Sequence, residues 1–309
     1  VAQFRHNEFS VRGQVGMLGT LRCCTWVVKR LAAAVDAWQR WLDYRLIARG
    51  YVSAEQSRLW GADAMAGRAC AVLAPAGDAD VCVRFIESGE ADRPLLAWGW
   101  NALEILVADV YTLAHELRAS PFEILIEPRP LPYDPRIHAM QVLGVAGELL
   151  YLTQLPTADA PLGLAPARRR VDRPFIAIAG GPSLTALIEY YATTFGNESF
   201  AGSPTLIQIV NDRFALPSDH RTALGVVRLA PGYLIELDEL PPAAARGAPR
   251  RPGELPFGLA MVSFEVDPIR GPPPNFRAPP ATLFEVPYDG ARVAVTEGAA
   301  GEWLELIER

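Results

Sequence analysis

Arg84, Tyr151, Glu236 and Glu305 hold corresponding places in four similar apolar stretches, "VCVRFIE", "ELLYLTQ", "YLIELDEL" and "EWLELIE". A guanidinium, a phenol and two carboxylates are groups that orient anions or move protons. Glu104, in "WNALEILVAD", adds a carboxylate. Arg84, Glu104 and Tyr151 together make a set for acid–base chemistry without a metal: Arg84 orients an oxyanion, Glu104 is the base and Tyr151 donates a proton or hydrogen bond. The same residues admit a second reading, an Arg84–Glu104 pair that neutralises buried charge beneath a packed Tyr151.

The elements that must position these groups recur. "GELLYL", "GYLIEL" and "GEWLEL" at long spacing point to repeated architecture. Each ending closes a unit of strand, helix and further strands. The first unit starts with "LRCCTWVVK", and its Leu31, Val35, Trp38 and Leu42 recur at helical steps. The second runs from "WNALEILVAD" through a helix in "VYTLAHELRAS" to strands in "FEILIE", "AMQVLGV" and "ELLYLTQ". The third starts at "PFIAIAG", places a helix in "PSLTALIEYYATTFG" with Ser183 as N-cap and Gly196 as stop, and returns through "TLIQIV", "ALGVVRLA" and "YLIELDEL". The fourth has strands at "FGLAMVSFEV", "TLFEVP", "ARVAVTE" and "EWLELIE". Its helix position holds "DPIRGPPPNFRAPP", whose three consecutive prolines rule against an ordinary helix, so this unit is a degenerate copy.

The four-fold strand-helix-strand-strand-strand pattern resembles the vicinal oxygen chelate superfamily, the glyoxalase, bleomycin-resistance and extradiol-dioxygenase group. The residues that carry the resemblance are "WNALEILVADVYTLAHEL" with "GVAGELLYLTQL", and "SLTALIEYYATTFG" with "GYLIELDEL". It implies an α+β fold of four βαβββ modules in two curved-sheet domains, each enclosing a cup. The expected arrangement is an N-terminal domain over 1–154, a linker over 155–173 and a C-terminal domain over 174–309. Alternate strand residues would face the cup, so Leu234, Glu236 and Asp238 share one phase.

The resemblance also implies metal ligands, His from a first strand and Glu from a last one. The corresponding first-strand positions hold Cys23, Ala102, Phe175 or Ile176, and Met261, and the histidines (His6, His115, His138, His220) lie elsewhere. No metal cofactor is therefore favoured. The alternative is a divalent cation held by oxygen from Glu236, Glu305 and Glu265, a donor set that suits magnesium or calcium, against carboxylates on hydrated faces. Cys23, Thr25 and Trp100 are the expected substrate contacts. Trp98 and Trp100 either stack on a planar ligand or pack at a strand entrance. "EPRPLPYDPRIHAMQ" reads as a stiff loop that lids the cup, with His138 as acid–base participant or as a surface histidine.

Composition bounds the rest. A chain of 309 residues, 50% hydrophobic and with net charge −6, buries a large core and offers no broad basic face for nucleic acid. No apolar run spans a membrane, and the start lacks the apolar region of a signal peptide, so a cytoplasmic location is the default expectation. Four cysteines without a CxxC pattern read as reduced thiols. Phosphate-loop, dinucleotide, nucleophile-elbow and HExxH motifs are absent. "AGGPS" after "FIAI" reads as a turn and helix cap.

The expected function is that of a small-molecule enzyme acting on a carbonyl-containing or aromatic metabolite by metal-independent proton transfer, isomerase or lyase chemistry. A non-catalytic metabolite- or drug-binding protein and a metal-dependent dioxygenase or glyoxalase-like lyase are the alternatives. Two cups in one chain fit a monomer as well as a homodimer.

Overall fold

The computed structural model describes residues 15–77, 81–88, 95–245, 251–269 and 276–309. The first unit comprises β1 (Leu18–Val28), α1 (Leu31–Trp41), β2 (Tyr44–Tyr51), α2 (Ala54–Leu59), β3 (Ala69–Pro75) and β4 (Cys82–Glu87). The second has β5 (Gly99–Val107), α3 (Val110–Leu117), β6 (Glu123–Leu131), β7 (Asp134–Leu143) and β8 (Leu149–Gln154). The third has β9 (Val171–Gly181), α4 (Leu184–Phe195), β10 (Ser199–Ala201), α5 (Gln208–Phe214), β11 (Leu224–Arg228) and β12 (Leu234–Glu239). The fourth has β13 (Gly258–Val266), β14 (Ala281–Thr282), β15 (Arg292–Glu297) and β16 (Trp303–Glu308).

One side chain at the end of each last strand explains why those endings repeat. Glu87, Gln154 and Glu239 accept hydrogen bonds from the first helical amides of Leu31 (2.9 Å), Val110 (3.1 Å) and Leu184 (2.9 Å). Such amides have no partner within their own helix and need one from outside. Unit four keeps the contact, since Glu308 accepts from the Ile269 amide at 3.1 Å. Arg84, Tyr151, Glu236 and Glu305 each stand three residues before these caps, so their correspondence is structural. The third helix also starts and stops as expected: Ser183 Oγ accepts from the Ala186 amide, and Gly196 ends α4 in the left-handed region at φ 75°.

A second repeat, "GVAGE" at 144–148 and "GAAGE" at 298–302, ties neighbouring units together. The Glu148 and Glu302 carboxyls fold back to accept from the Ala146 and Ala300 amides, both at 2.8 Å. Their free oxygens accept from Trp38 Nε1 of α1 (2.9 Å) and from Tyr191 Oη of α4 (3.0 Å). Only glycine fits at 144 and 298, where a Cβ would lie 2.3 and 2.1 Å from the carboxyl oxygens.

Burial pushes the Glu302 carboxyl up to about 7, against an ordinary 4.5. Between those values the unfolded chain gives up the proton and the folded chain keeps it. Stability contributed by this group is therefore full below about pH 4.5, falls as pH rises to 7, and levels off about 3 kcal/mol lower. Urea titrations across that range should show the decline, and Glu302→Gln should make it shallower by about that amount.

The sheet order corrects the expected pairing of units. Among the described residues, one eight-stranded sheet, sheet A, runs β14-β15-β16-β13-β1-β4-β3-β2, and the other, sheet B, runs β10-β11-β12-β9-β5-β8-β7-β6. Unit one therefore joins unit four through the antiparallel β1–β13 pair, and unit two joins unit three through β5–β9. Neither 1–154 nor 174–309 closes a cup by itself. The α+β class and the two paired-module sheets stand as expected. A core drawn from all four units, including Trp38, Phe85, Trp100, Phe175, Phe264 and Leu304, runs between the sheets, each such side chain contributing ~1.5–3 kcal/mol of burial.

Two local expectations also change. "TLIQIV" forms an isolated bridge at Thr205 and then α5, because Ile207, Ile209 and Val210 bury at helical rather than alternating positions. "TLFEVP" contributes only the two-residue β14. The Pro-rich stretch of unit four shows no helix in its described part, residues 270–275 and His6 lying outside the described residues. The four cysteines are free. Among the described residues, no helix is long and apolar enough to cross a membrane.

Candidate functional site

The cup of sheet A is filled. Arg84 on β4 and Glu305 on β16, 1% and 0% exposed, form an ion pair at 3.2 Å across the β1–β13 seam. Arg84 Nε and Nη2 donate to Thr25 Oγ1 at 3.0 and 2.9 Å, and Nη1 donates to Tyr288 Oη at 2.6 Å. Glu305 also accepts from Trp60 Nε1 (2.8 Å), Tyr288 Oη (2.7 Å) and Ser263 Oγ (2.5 Å). The guanidinium lies over the Trp60 ring, 4.8 Å from its centroid. Burial opposes its charge, but Tyr288 and Glu305 hold its pKa well above the ordinary value. Trp60, delivered by α2, and Tyr288 of unit four thus occupy the hollow that a ligand would need.

This arrangement separates residues expected to act together. Arg84 lies in sheet A, whereas Glu104 on β5 and Tyr151 on β8 lie in sheet B, so neither the Arg84–Glu104–Tyr151 set nor an Arg84–Glu104 pair forms. Cys23 is fully buried beside Cys82, and Thr25 is taken up by Arg84, so neither is free for substrate. Trp100 is 1% exposed and donates to the Trp303 carbonyl at 2.8 Å, a packing role. His138 sits on β7 in the opposite phase to Ile137 and Ala139, which line the cup of sheet B, and meets Tyr111 Oη of α3 at 2.9 Å. Glu265 is paired at the sheet margin with Arg22 (3.5 Å) and Arg309 (2.5 Å). Glu236 lies in sheet B, so the three proposed oxygen ligands do not converge.

The cup of sheet B is open. It holds a cavity of about 310 Å³ with a second chamber of about 100 Å³, and both are lined by Glu104, Tyr133 and Glu236. Strand phase places the acids there. Glu104 pairs in register with Tyr151 on β8 and Ile176 on β9, while Glu236 pairs with Ile178 of β9. Apolar side chains such as Phe175, Ile176 and Leu234 form the walls.

The segment expected as a linker also contributes, for Leu155, Pro161 and Leu164 close one side of the cavity. Arg170 anchors it by reaching Asp43 of unit one at 2.6 Å and Glu116 of unit two. The expected lid is a β6–β7 hairpin rather than a loop, and Tyr133 at its tip stands over the acids.

Glu104 is 8% exposed and accepts from Thr153 Oγ1 at 2.5 Å. Burial pushes its carboxyl up to about 7, and the Thr153 bond pulls the other way. Burial raises Glu236 well above the carboxylate range, helped by the charges of Asp238 and Glu104, and raises Asp238 to about 7. Tyr151 is pushed far up by burial and by Asp238, Glu236 and Glu104, so it remains a hydrogen-bond donor. Thr153, Tyr133 and the linker walls were missed from sequence, although Thr153 shares the alternate phase of Tyr151.

A metal of the kind implied by the resemblance does not fit these donors. At the corresponding positions sheet B offers Ala102, Ile176, Tyr151 and Glu236, two of which carry no donor atom in the side chain. At the corresponding positions of sheet A the single carboxylate, Glu305, is already saturated by Arg84, Trp60, Tyr288 and Ser263. Among the described residues, no group of three or more His, Cys, Asp and Glu side chains could hold a metal ion.

No protein-family model matches the sequence, and no curated protein matches it. Solved structures do share its architecture. Glyoxalase I from Zea mays aligns with a TM-score of 0.62 and 13% identity over 94% of this chain and 92% of that one. A "putative dioxygenase" from Bacillus subtilis subsp. subtilis str. 168 aligns with a TM-score of 0.58 and 9% identity over 95% and 86%. At these identities the likeness is one of fold.

Proposed function

We propose, for a chain with this glyoxalase-like, vicinal oxygen chelate fold, that the cup of sheet B binds a small carbonyl-containing or aromatic metabolite and moves a proton on it. The observation that carries this reading is Glu104, a buried carboxyl oriented by Thr153 at the base of an apolar cavity. Such a site favours a carboxyl that titrates near neutrality, where it can both take and return a proton. Glu104 takes a proton from carbon next to a carbonyl, and Tyr151 donates a hydrogen bond to the oxygen on which charge develops. Isomerase and lyase outcomes share this first step. Arg84 is excluded from the chemistry, since it is sealed in the other sheet.

The test is solvent deuterium exchange, followed by NMR, into a panel of α-C–H carbonyl compounds mixed with the full chain. Exchange that Glu104→Gln abolishes supports the reading. Retention of an unchanged compound with no exchange, and with Glu104→Gln altering affinity alone, supports a binding protein instead.

A further inference from the structure

We propose that the cup of sheet B selects an amine, a ligand with one protonated nitrogen held by Glu236 and Asp238 and an apolar body against the cavity walls. The inference rests on that cup being the ligand site. It adds the chemical class of the ligand.

Charge accounting carries the argument. Two carboxyl groups, Glu104 and Glu236, line this cup from β5 and β12. Glu236 lines both chambers, and among the described residues its carboxyl has neither a hydrogen bond nor an ion pair. Asp238 follows it in the same strand phase, is 3% exposed, and its Oδ1 has no hydrogen-bond partner. A buried acceptor without a partner costs ~1–3 kcal/mol and normally finds one. None of the described residues lining the larger cavity is Lys, Arg or His. Tyr133 and Tyr151 face the acids from the hairpin and from β8. Arg129 faces the second chamber, and its Nη1 donates to Gln208 Oε1 at 3.0 Å.

Without a ligand, burial favours the protonated, neutral form of both acids. An ammonium group supplies the missing positive charge directly. Its N–H bonds satisfy Glu236 and Asp238, and the carboxyl proton leaves to solvent as the cation enters. An anion would meet the opposite field, and a neutral alcohol would gain hydrogen bonds but no charge pairing. Glu104, held apart by Thr153, stays available for proton transfer to the body of the same ligand.

The experiment is calorimetric titration of the full chain with three probes of similar shape: 2-phenylethylamine, 2-phenylethanol and 3-phenylpropanoate. The amine should bind at least about tenfold more tightly than the other two, as charge-assisted hydrogen bonds allow. In buffers of different ionisation enthalpy near neutral pH, its binding should release protons and that of the alcohol should not. Glu236→Gln, nearly isosteric, should erase the preference, the affinity for the amine falling at least about tenfold relative to that for the alcohol. Asp238→Asn provides the same comparison if the first variant folds poorly.

Equal affinity for alcohol and amine, tighter binding of the carboxylate, failure of all three probes to bind, or a preference untouched by both variants would overturn the proposal. Amine binding without any deuterium exchange would leave it standing and sink the proton-transfer reading. Exchange on neutral carbonyl compounds with no preference for the amine would do the reverse.

Discussion

Arg84→Met is expected to lower the free energy of unfolding by about 3–5 kcal/mol, because it leaves Glu305 as a fully buried carboxylate without its cation. Thr25 Oγ1 loses both of its guanidinium donors in the same change. Against a total stability of ~5–15 kcal/mol, this is a large fraction. Replacing both charges, as in Arg84→Met with Glu305→Leu, should recover much of the loss, since well-packed apolar pairs often match buried ion pairs. Equilibrium unfolding in urea for the two single variants and the double variant checks the coupling. Ligand binding and exchange in sheet B should survive in the folded fraction. Loss of activity without loss of stability would return Arg84 to the chemistry.

Glu104→Gln is expected to reduce proton transfer by ~10²–10⁴-fold and to leave stability little changed. An amide at this position still accepts from Thr153, so the cavity keeps its shape while losing its base. A base works only after giving up its proton, so the rate in the natural chain should rise through about pH 7, where Glu104 titrates. Thr153→Val removes the bond that lowers the Glu104 pKa, and the rising limb should move to higher pH. Rates measured over pH 5.5–8.5 distinguish the two roles of the carboxyl. A rise with pH means base and a fall means acid, while no movement in Thr153→Val would mean that threonine does not tune it.

The units were legible in the sequence because their signals are local. Helical spacing at Leu31, Val35 and Trp38, the Ser183 cap and the Gly196 stop all lie within a few residues of the structure they specify. The correspondence of Arg84, Tyr151, Glu236 and Glu305 was equally readable, as one cap three residues later anchors each of them. Which units would share a sheet was not. β1 meets β13 through side chains such as Cys24, Val262 and Phe264, whose apolar types suit any neighbouring strand. That long-range choice determines which candidates meet: Arg84 with Glu305, and Glu104 with Glu236.

The filling of sheet A did leave a trace that went unused. "SAEQ" at 53–56 is a capping box, and Ser53 and Gln56 bond each other's backbone as that pattern predicts. It announces α2 and therefore the inward delivery of Trp60. "TLIQIV" misled because a short apolar run carries no decisive period. The acidic face was half visible: Leu234, Glu236 and Asp238 share a phase, but that none of the described residues lining the larger cavity is Lys, Arg or His is a property of the assembled cup.

The nested pairing of units imposes an order on biosynthesis. Units two and three are contiguous, so every strand of sheet B has been made once translation passes residue 239. Sheet A must wait, with β1 and β4 made early and β13 to β16 made last. Its ion pair joins residues 221 positions apart, a long loop whose closure is favourable only after the intervening chain has compacted. A nascent chain can therefore complete the cup of sheet B before Arg84 and Glu305 can meet across sheet A.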